Sequence, residues 1–311
     1  MSSGNSYKRI SAFVVATFAL SSVVYSLMVA KGGLKGGGGP YTFLLMWCPG
    51  VAALAVRLVG SKSLRGMGWG WGKTRYELLA WGIPLAYTAP AYLVIWITGL
   101  VPLNPEFVAR ISERLGELGL PVESPLRAVG LFVLLTAAIG APINCVAALG
   151  EEIGWRGLLV PELVKITTPR ATALISGAIW SAWHYPFILW GGYNGGAPVW
   201  YALTCFTILA MGISFGMTWL RLKSGSLWTG VFSHASHNLF VQGVFTPLTA
   251  ETDRSKYIVN EFGAALAIMG LVVAWVFWRR LTGLLQPAAE APRTHTPDRY
   301  SRWRTNHRPS S

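Results

Sequence analysis

Residues 150–157 of the chain read GEEIGWRG, which sets two adjacent glutamates and an arginine inside a segment that is apolar on both sides. A charged side chain deep in a bilayer costs about 2.5 to 3.5 kcal/mol on insertion scales. A Glu-Glu-Arg cluster in such a segment therefore needs partners, water or a function. The rest of the sequence is expected to supply those partners.

The composition of the chain is that of a polytopic membrane protein. Of the 311 residues, 52% are hydrophobic, 13% are charged and 15 are tryptophan, which is too apolar for an ordinary soluble domain. The net charge of +13 does not indicate nucleic acid, because the basic residues lie between apolar runs and in the C-terminal tail. The lipid bilayer is the expected partner of these charges. Cys48, Cys145 and Cys205 each lie in an apolar run and predict neither disulfides nor a metal site.

Eight apolar runs are long enough to cross a bilayer and predict an all-α transmembrane bundle of about eight helices. The runs are residues 10–30, 41–59, 77–100, 126–163, 171–190, 199–220, 226–245 and 258–278. The first is interpreted as a retained helix rather than a cleaved signal peptide, whose apolar core has only about 7 to 15 residues. The fourth is expected to be a kinked helix, or a surface piece followed by a membrane piece, interrupted at residues 140–142.

The basic residues that flank the runs orient the bundle. If the spans alternate, the clusters at residues 8–9, 62–75, 165–170, 221–223 and 279–280 fall on one side. The positive-inside rule then places both termini in the cytoplasm of a multi-pass protein, which we assign to a bacterial cell membrane. A membrane domain is predicted over residues 1–283. Residues 284–311 have little to bury and predict a disordered, basic cytoplasmic tail.

The polar residues within three of the runs recur at a spacing of three or four, which places them on one helical face. Glu152 and Arg156 are four residues apart, so the arginine is expected to neutralise Glu152. Glu151 lies about 100° further round the helix and points elsewhere. Desolvation and the adjacent carboxylate suit Glu151 to general acid/base work near neutral pH, so it is the predicted chemical base.

Two further groups of polar residues lie in later runs. Trp180 precedes His184 by one turn and is expected to wall or orient the imidazole, although a single histidine beside aromatics is usually structural. His234, His237 and Asn238 form a stripe that would by itself fit an interhelical hydrogen-bond ladder equally well. Together with the glutamate pair, these groups supply a base, a second ligand for a water and oxyanion donors, which are the parts needed for peptide hydrolysis.

Three motifs in this order resemble the signature of a known family. EExxxR from residue 151, WxxxH from residue 180 and HxxxN from residue 234 are similar to the motifs of the CPBP family, which comprises CAAX prenyl endopeptidases and bacteriocin-processing intramembrane proteases. The resemblance covers residues 141–245. The chain departs from the pattern at Trp180, where phenylalanine is commoner, but an aromatic wall is kept.

The resemblance implies an eight-helix fold with a cavity open towards the cytosolic side. It implies that Glu151 and His184 bind and activate a water. It further implies that His234 and Asn238 stabilise the oxyanion. The activity implied is intramembrane hydrolysis of a peptide bond near the C-terminus of a membrane-associated peptide or protein, prenylated substrates included.

The resemblance also implies that Glu152 and Arg156 shape the site. Zinc needs about three protein ligands plus water, and Glu151, His184 and His234 are the residues that would provide them. The chain has no HExxH, and a metal-free glutamate mechanism explains the same residues. We therefore expect no cofactor.

Two other classes of function use the same features. A non-catalytic peptide-binding or bacteriocin-immunity membrane protein would capture a peptide in the same cavity. A proton-coupled transporter would also place acids and histidines within the membrane. The sequence shows no convincing inverted repeat of interrupted helices, which counts against the transporter.

Overall fold

The computed structural model describes residues 3–36, 38–120 and 122–284 as a bundle of helices. The α-helices are α1 (Ser3–Ala30), α2 (Gly39–Ser61), α3 (Thr74–Ile97), α4 (Pro105–Glu117), α5 (Pro125–Glu152), α6 (Val160–Leu163), α7 (Pro169–Trp190), α8 (Val199–Ser224), α9 (Trp228–Asn238), α10 (Ser255–Ile258) and α11 (Ala264–Thr282). A 3₁₀ turn occupies Leu34–Gly36, and two π-helical segments occupy Ile153–Leu159 and Leu239–Phe245. The predicted all-α class is confirmed. Residues 285–311 of the predicted tail lie outside the described residues.

Six helical stretches within the described part of the chain are long and apolar enough to cross a membrane. They are α1, α2, α3, the stretch Pro125–Leu163, α8 and α11. The other two predicted spans are α7 and α9 with its π extension, which hold the polar residues of the second and third motifs. The bundle is approximately the one predicted, and the chain is a multi-pass membrane protein.

Helix α8 lies at the centre of the bundle, packed against α7 and α11. Nearly all of its residues from Leu209 to Arg221 are buried. A helix that is apolar around its whole circumference is expected in the interior rather than at the surface. This central helix provides a wall against which α7 and α9, two of the site-bearing helices, pack.

Helices α2 and α5 meet backbone to backbone. A Cβ atom on Gly50 would lie 2.5 Å from the carbonyl oxygen of Gly150, and one on Gly150 would lie 2.7 Å from that of Met46. Small residues permit such close approach between membrane helices. Because Gly150 immediately precedes Glu151, this contact fixes the position of the carboxylates against α2.

Both helices that carry paired site residues change from α to π geometry directly after them. Helix α5 continues through Pro142, and regular helix ends only at Ile153, after the two glutamates, rather than at residues 140–142. Helix α9 changes in the same way after Asn238. π-helical turns are rare and occur frequently at functional sites.

The last span begins later than the predicted residue 258, because the chain bends before α11. Asn260 adopts a left-handed conformation with φ 61°. A Cβ atom on Gly263 would lie 2.3 Å from the carbonyl carbon of Ile258, so only glycine permits the chain to fold back here. The bend buries Glu261, which is 4% exposed, within the bundle.

Candidate active site

A cavity of about 100 Å³ lies between α2, α5, α7, α8, α9 and the bend before α11. Four of the six predicted site residues line it, namely Glu151, His184, His234 and Asn238. Glu152 and Arg156 are not in the lining, but Glu152 contacts His234 and Arg156 contacts Glu152. The structure therefore brings together side chains from all three motifs.

Glu152, Arg156 and His234 form a buried cluster of charged and polar groups. Nη1 of Arg156 donates to Oε1 of Glu152 at 2.9 Å, which confirms the pairing predicted from their spacing. Nδ1 of His234 lies 3.1 Å from the same oxygen. A carboxylate only accepts, so Nδ1 is the nitrogen that donates here. The contact joins the first motif to the third.

Gly230 of α9 makes room for this cluster. A Cβ atom at Gly230 would lie 2.5 Å from Oε2 of Glu152 and 3.2 Å from Cγ of Arg156. Oε2 of Glu152 is buried and has no hydrogen-bond partner within the described part of the chain. Any side chain larger than hydrogen at position 230 would displace this carboxylate.

Glu151 points away from Glu152 and towards two tryptophans. Its Oε2 accepts hydrogen bonds from Nε1 of Trp180 at 2.8 Å and from Nε1 of Trp155 at 3.1 Å. Hydrogen bonds to an ionised acceptor are short and strong, and these two fix the carboxylate in one orientation. Both use the same oxygen, so Oε1 keeps its lone pairs for a water or a substrate in the cavity.

His184 is held in one tautomer by the backbone of its own helix. Its Nδ1 lies 2.9 Å from the carbonyl oxygen of Trp180, and since a carbonyl can only accept, Nδ1 carries the proton. Nε2 of the neutral ring then keeps its lone pair. Trp183 and Phe206 pack against the imidazole with ring centroids 4.7 and 4.8 Å away. The arrangement leaves a fixed acceptor nitrogen on a ring that lines the same cavity as Glu151.

Trp180 contacts four of the predicted site residues, and its ring lies 5.5 Å, centroid to centroid, from that of His234. Its indole donates to Glu151, its carbonyl oxygen accepts from His184, and the guanidinium of Arg156 lies 4.9 Å from its ring centroid. The predicted aromatic wall is confirmed. The hydrogen bond to Glu151 was not predicted, and phenylalanine cannot make it. The departure from the commoner family residue therefore adds a donor to the site.

A second carboxylate in the cavity wall, Glu261, was not among the predicted site residues. Its Oε2 accepts from the hydroxyl of Tyr193 at 2.7 Å, and its Oε1 accepts from Nε2 of Gln242 at 2.6 Å. Nε2 of His237 lies 3.5 Å from the same Oε1. Nδ1 of His237 lies 2.5 Å from the hydroxyl of Tyr87. These five residues form one continuous polar network. It includes His237, for which the sequence predicted no separate role.

The charge of Glu261 depends on this network. Burial opposes ionisation, but the contacts with His237, Gln242 and Tyr193 outweigh it and hold the pKa of the Glu261 carboxyl below its ordinary value. Burial, followed by the negative charge of Glu261, raises the pKa of Tyr193 well above its ordinary value. The sequence did carry a signal, since Glu261 is a single acid between the turn-forming Asn260 and Gly263 at the start of an apolar run.

The three residues that would bind zinc, if the site used a metal, are Glu151, His184 and His234. Residues 3–36, 38–120 and 122–284 contain no group of three or more His, Cys, Asp or Glu side chains placed to hold a metal ion. As they are placed here, Glu151, His184 and His234 do not make such a group.

The fold and this site together define a class: multi-pass all-α membrane proteins with a buried Glu-Glu-Arg cluster and three histidines at an internal cavity. Residues 128–240, about a third of the chain, match the Rce1-like family model, described as type II CAAX prenyl endopeptidase Rce1-like. All six predicted site residues lie in this segment. The segment that carries the site is therefore similar to the Rce1-like family, and the predicted family resemblance is confirmed.

A curated relative supports the same assignment. The chain is 35% identical over 137 residues to CAAX prenyl protease 2 of Methanococcus maripaludis. The aligned region is 42% of this chain and 46% of the relative. The chain thus spans about half the length of the relative that it matches.

Proposed function

We propose that this protein is an intramembrane endopeptidase that hydrolyses a peptide bond near the C-terminus of a lipid-anchored or membrane-associated protein or peptide. The observation that carries the proposal is that Glu151, whose carboxylate is fixed through one oxygen, lines the same cavity as His184, whose Nε2 is left as an acceptor. The relative named as a CAAX prenyl protease supports a substrate of the prenylated CAAX class.

The water is activated by Glu151 and His184 in this mechanism. Oε1 of Glu151 and Nε2 of His184 each accept a hydrogen bond from the water, which fixes its position. Glu151 takes a proton from the water as the oxygen attacks the carbonyl carbon of the scissile bond. A positioned general base of this kind contributes about 10²- to 10⁴-fold to the rate.

The oxyanion of the tetrahedral intermediate is stabilised by Asn238 and His234. The amide of Asn238 donates from the cavity wall. His234 already donates through Nδ1 to Glu152, so it donates to the oxyanion through a proton on Nε2 and is an imidazolium. Preorganised donors in a site that excludes water supply a large share of such catalysis.

The charges of the cluster balance in this state. The carboxylates of Glu151 and Glu152 contribute two negative charges, and the guanidinium of Arg156 and the imidazolium of His234 contribute two positive charges. A balanced, hydrogen-bonded cluster meets the requirement that buried charges be paired. When the carbon–nitrogen bond breaks, the proton held by Glu151 passes to the leaving amine, and the carboxylate is regenerated.

The proposal requires no cofactor, and every step uses side chains of the chain itself. Zinc remains the alternative to be tested, with Glu151, His184 and His234 as the residues that would have to rearrange to bind it. We also propose that both termini lie in the cytoplasm and that the protein resides in a bacterial cell membrane. The distribution of basic residues between the spans supports this orientation.

The test is cleavage of a fluorogenic farnesylated CAAX-type peptide by the purified protein in detergent, with and without a zinc chelator. Glu151→Gln is expected to reduce the rate by about a hundredfold or more. Glu77→Gln is the matched control, because Glu77 is also a buried glutamate in a membrane helix but does not line the cavity. Activity that survives the chelator supports the metal-free mechanism, whereas loss that zinc restores would overturn it.

The non-catalytic alternative makes a different prediction in the same assay. A peptide-binding protein would retain the farnesylated peptide equally in the wild type and in Glu151→Gln, and neither would yield a cleaved product. That pair of results would replace the proposed protease with a binding protein.

A further inference from the structure

A second pocket, of about 440 Å³, lies away from the candidate active site. It is formed by the start of α1, the end of α2 with the loop that follows, and the turn from the first π segment into α6. Its charged lining consists of Arg9, Arg57, Arg65, Lys165 and Glu162. The proposed protease mechanism uses none of these residues.

The pocket has a large excess of positive charge. Oε1 of Glu162 lies 3.3 Å from Nη1 of Arg9, 3.8 Å from Nη1 of Arg57 and 2.7 Å from Nζ of Lys165. One carboxylate is therefore paired with three cationic side chains, and Arg65 is a fourth cation in the lining. The net charge of the pocket is three positive charges, which an anion from outside the chain would offset.

Arg57 provides the most specific sign that the pocket suits an anion. Its side chain is only 11% exposed, and its Nε is buried with no hydrogen-bond partner among the residues that the structure describes. Its Nη2 donates to the carbonyl oxygen of Arg65. A guanidinium is always charged and has five N–H donors, so leaving one unpaired in a buried position is costly.

The pocket lies at the border between the apolar and polar regions of the bilayer. Arg9 is six residues, about 9 Å, from the first described residue of α1, and Arg57 is four residues, about 6 Å, from the end of α2. The loop after α2 exposes Trp69 and Trp71 by 38% and 49%. Exposed tryptophans are enriched at membrane interfaces, at the depth of lipid headgroups.

We propose that this pocket binds a phosphate group, supplied by the headgroup of an anionic phospholipid. Arg and Lys recognise phosphate oxygens through charge-assisted hydrogen bonds. Basic pockets between membrane helices bind lipid headgroups in this way. Pro161 adds apolar surface to the lining, which suits the glycerol and first methylenes of a lipid better than a free ion.

A bound headgroup would also contact the segment that carries Arg156. Gly157 and Leu158 line the pocket and follow Arg156 directly within the first π segment. The lipid would thus support this irregular turn from the side remote from the peptide bond being cut.

The experiment measures lipid retention rather than cleavage, so its result is independent of the proposed protease activity. The full-length protein is purified from nanodiscs of phosphatidylcholine alone or mixed with phosphatidylglycerol, and the retained lipid is counted by native mass spectrometry. Arg65→Gln and Arg57→Gln are each expected to weaken phosphatidylglycerol retention about fivefold. Arg65 is exposed, so its replacement tests the pocket even if Arg57→Gln fails to fold.

Arg279→Gln is the matched control, because Arg279 is an exposed cation near the end of α11 outside the pocket. Unchanged retention in this variant, with loss in Arg65→Gln, supports the proposal. Equal loss in both variants, or no preference for phosphatidylglycerol, would overturn it. Competition by inorganic phosphate at millimolar concentration, without lipid retention, would assign the pocket to a free anion and overturn the lipid assignment.

Discussion

The indole nitrogen of Trp180 donates a 2.8 Å hydrogen bond to Oε2 of Glu151, and this bond joins α7 to α5 at the candidate active site. The same residue orients His184 through its backbone carbonyl. Both groups proposed to activate the water are therefore aligned by one tryptophan. Its position along α7 sets the distance between the base and the acceptor nitrogen.

Trp180→Phe is expected to lower kcat of peptide cleavage by about tenfold or more while KM changes little. Phenylalanine keeps the aromatic wall but removes the donor, and a hydrogen bond to a charged group contributes about 1.5 to 3 kcal/mol. Steady-state kinetics with the farnesylated peptide would measure both constants.

Trp183→Phe is the matched control for that substitution, because Nε1 of Trp183 donates to Oγ of Ser21 rather than to a site carboxylate. Equal losses of kcat in the two variants would show that the bond to Glu151 has no special role.

Arg156→Met is expected to destabilise the protein by about 3 to 5 kcal/mol, because it leaves Glu152 buried without its charged partner. The double variant Glu152→Gln with Arg156→Met should recover part of the loss, since it removes both charges. Denaturant unfolding in mild detergent would compare the variants. Arg114→Gln is the control, as its pair with Glu117 is 81% and 56% exposed and should contribute at most about 1 kcal/mol.

Gly230→Ala is expected to cost about 1 to 3 kcal/mol of stability and most of the activity, because the new methyl group would overlap Oε2 of Glu152. Gly82→Ala, in the middle of α3, meets no atom within 4 Å and should leave stability unchanged or raise it by up to about 1 kcal/mol. Thermal unfolding and peptide cleavage would be measured on both. Similar behaviour of the two variants would contradict the close fit of Glu152 to α9.

The acid stability of the fold is expected to depend on Glu261. Its pKa is held below the ordinary value near 4.3, so the ionised carboxylate stabilises the folded state above that value and loses this contribution as the pH falls through the lower folded pKa. Glu261→Gln should therefore lower Tm at neutral pH and flatten its decline between about pH 5 and pH 3. A decline as steep as that of the wild type would show that other carboxyls cause the acid sensitivity.

The contacts that sequence spacing predicted are those made within one helix. Glu152 and Arg156 are paired because residues four apart share a helical face, and Glu151 points elsewhere for the same reason. The prediction that three motifs would meet at one cavity is also confirmed, since Glu151, His184, His234 and Asn238 all line it.

The contacts that spacing did not predict join distant parts of the chain or depend on ring orientation. The indole of Trp180 in α7 donates to Glu151 in α5, and no local sequence pattern predicts the direction of its N–H. Hydropathy alone places Glu261 in an apolar span, because it does not reveal the chain bend at Asn260, whose φ is positive. Its partner Tyr193 lies in a loop, and its partner Gln242 lies in the second π segment. The α-helical period of 3.6 residues does not predict contacts made from either kind of segment.

The two π segments bear on any attempt to transplant this site into another scaffold. Each follows a site residue directly, after Glu152 and after Asn238, and one extra residue in a turn rotates the downstream chain by about 100°. A grafted copy of the three motifs on straight, idealised helices would present every residue beyond those points to the wrong neighbour. A scaffold designed to hold this site must therefore reproduce the two π-helical turns as well as the side chains.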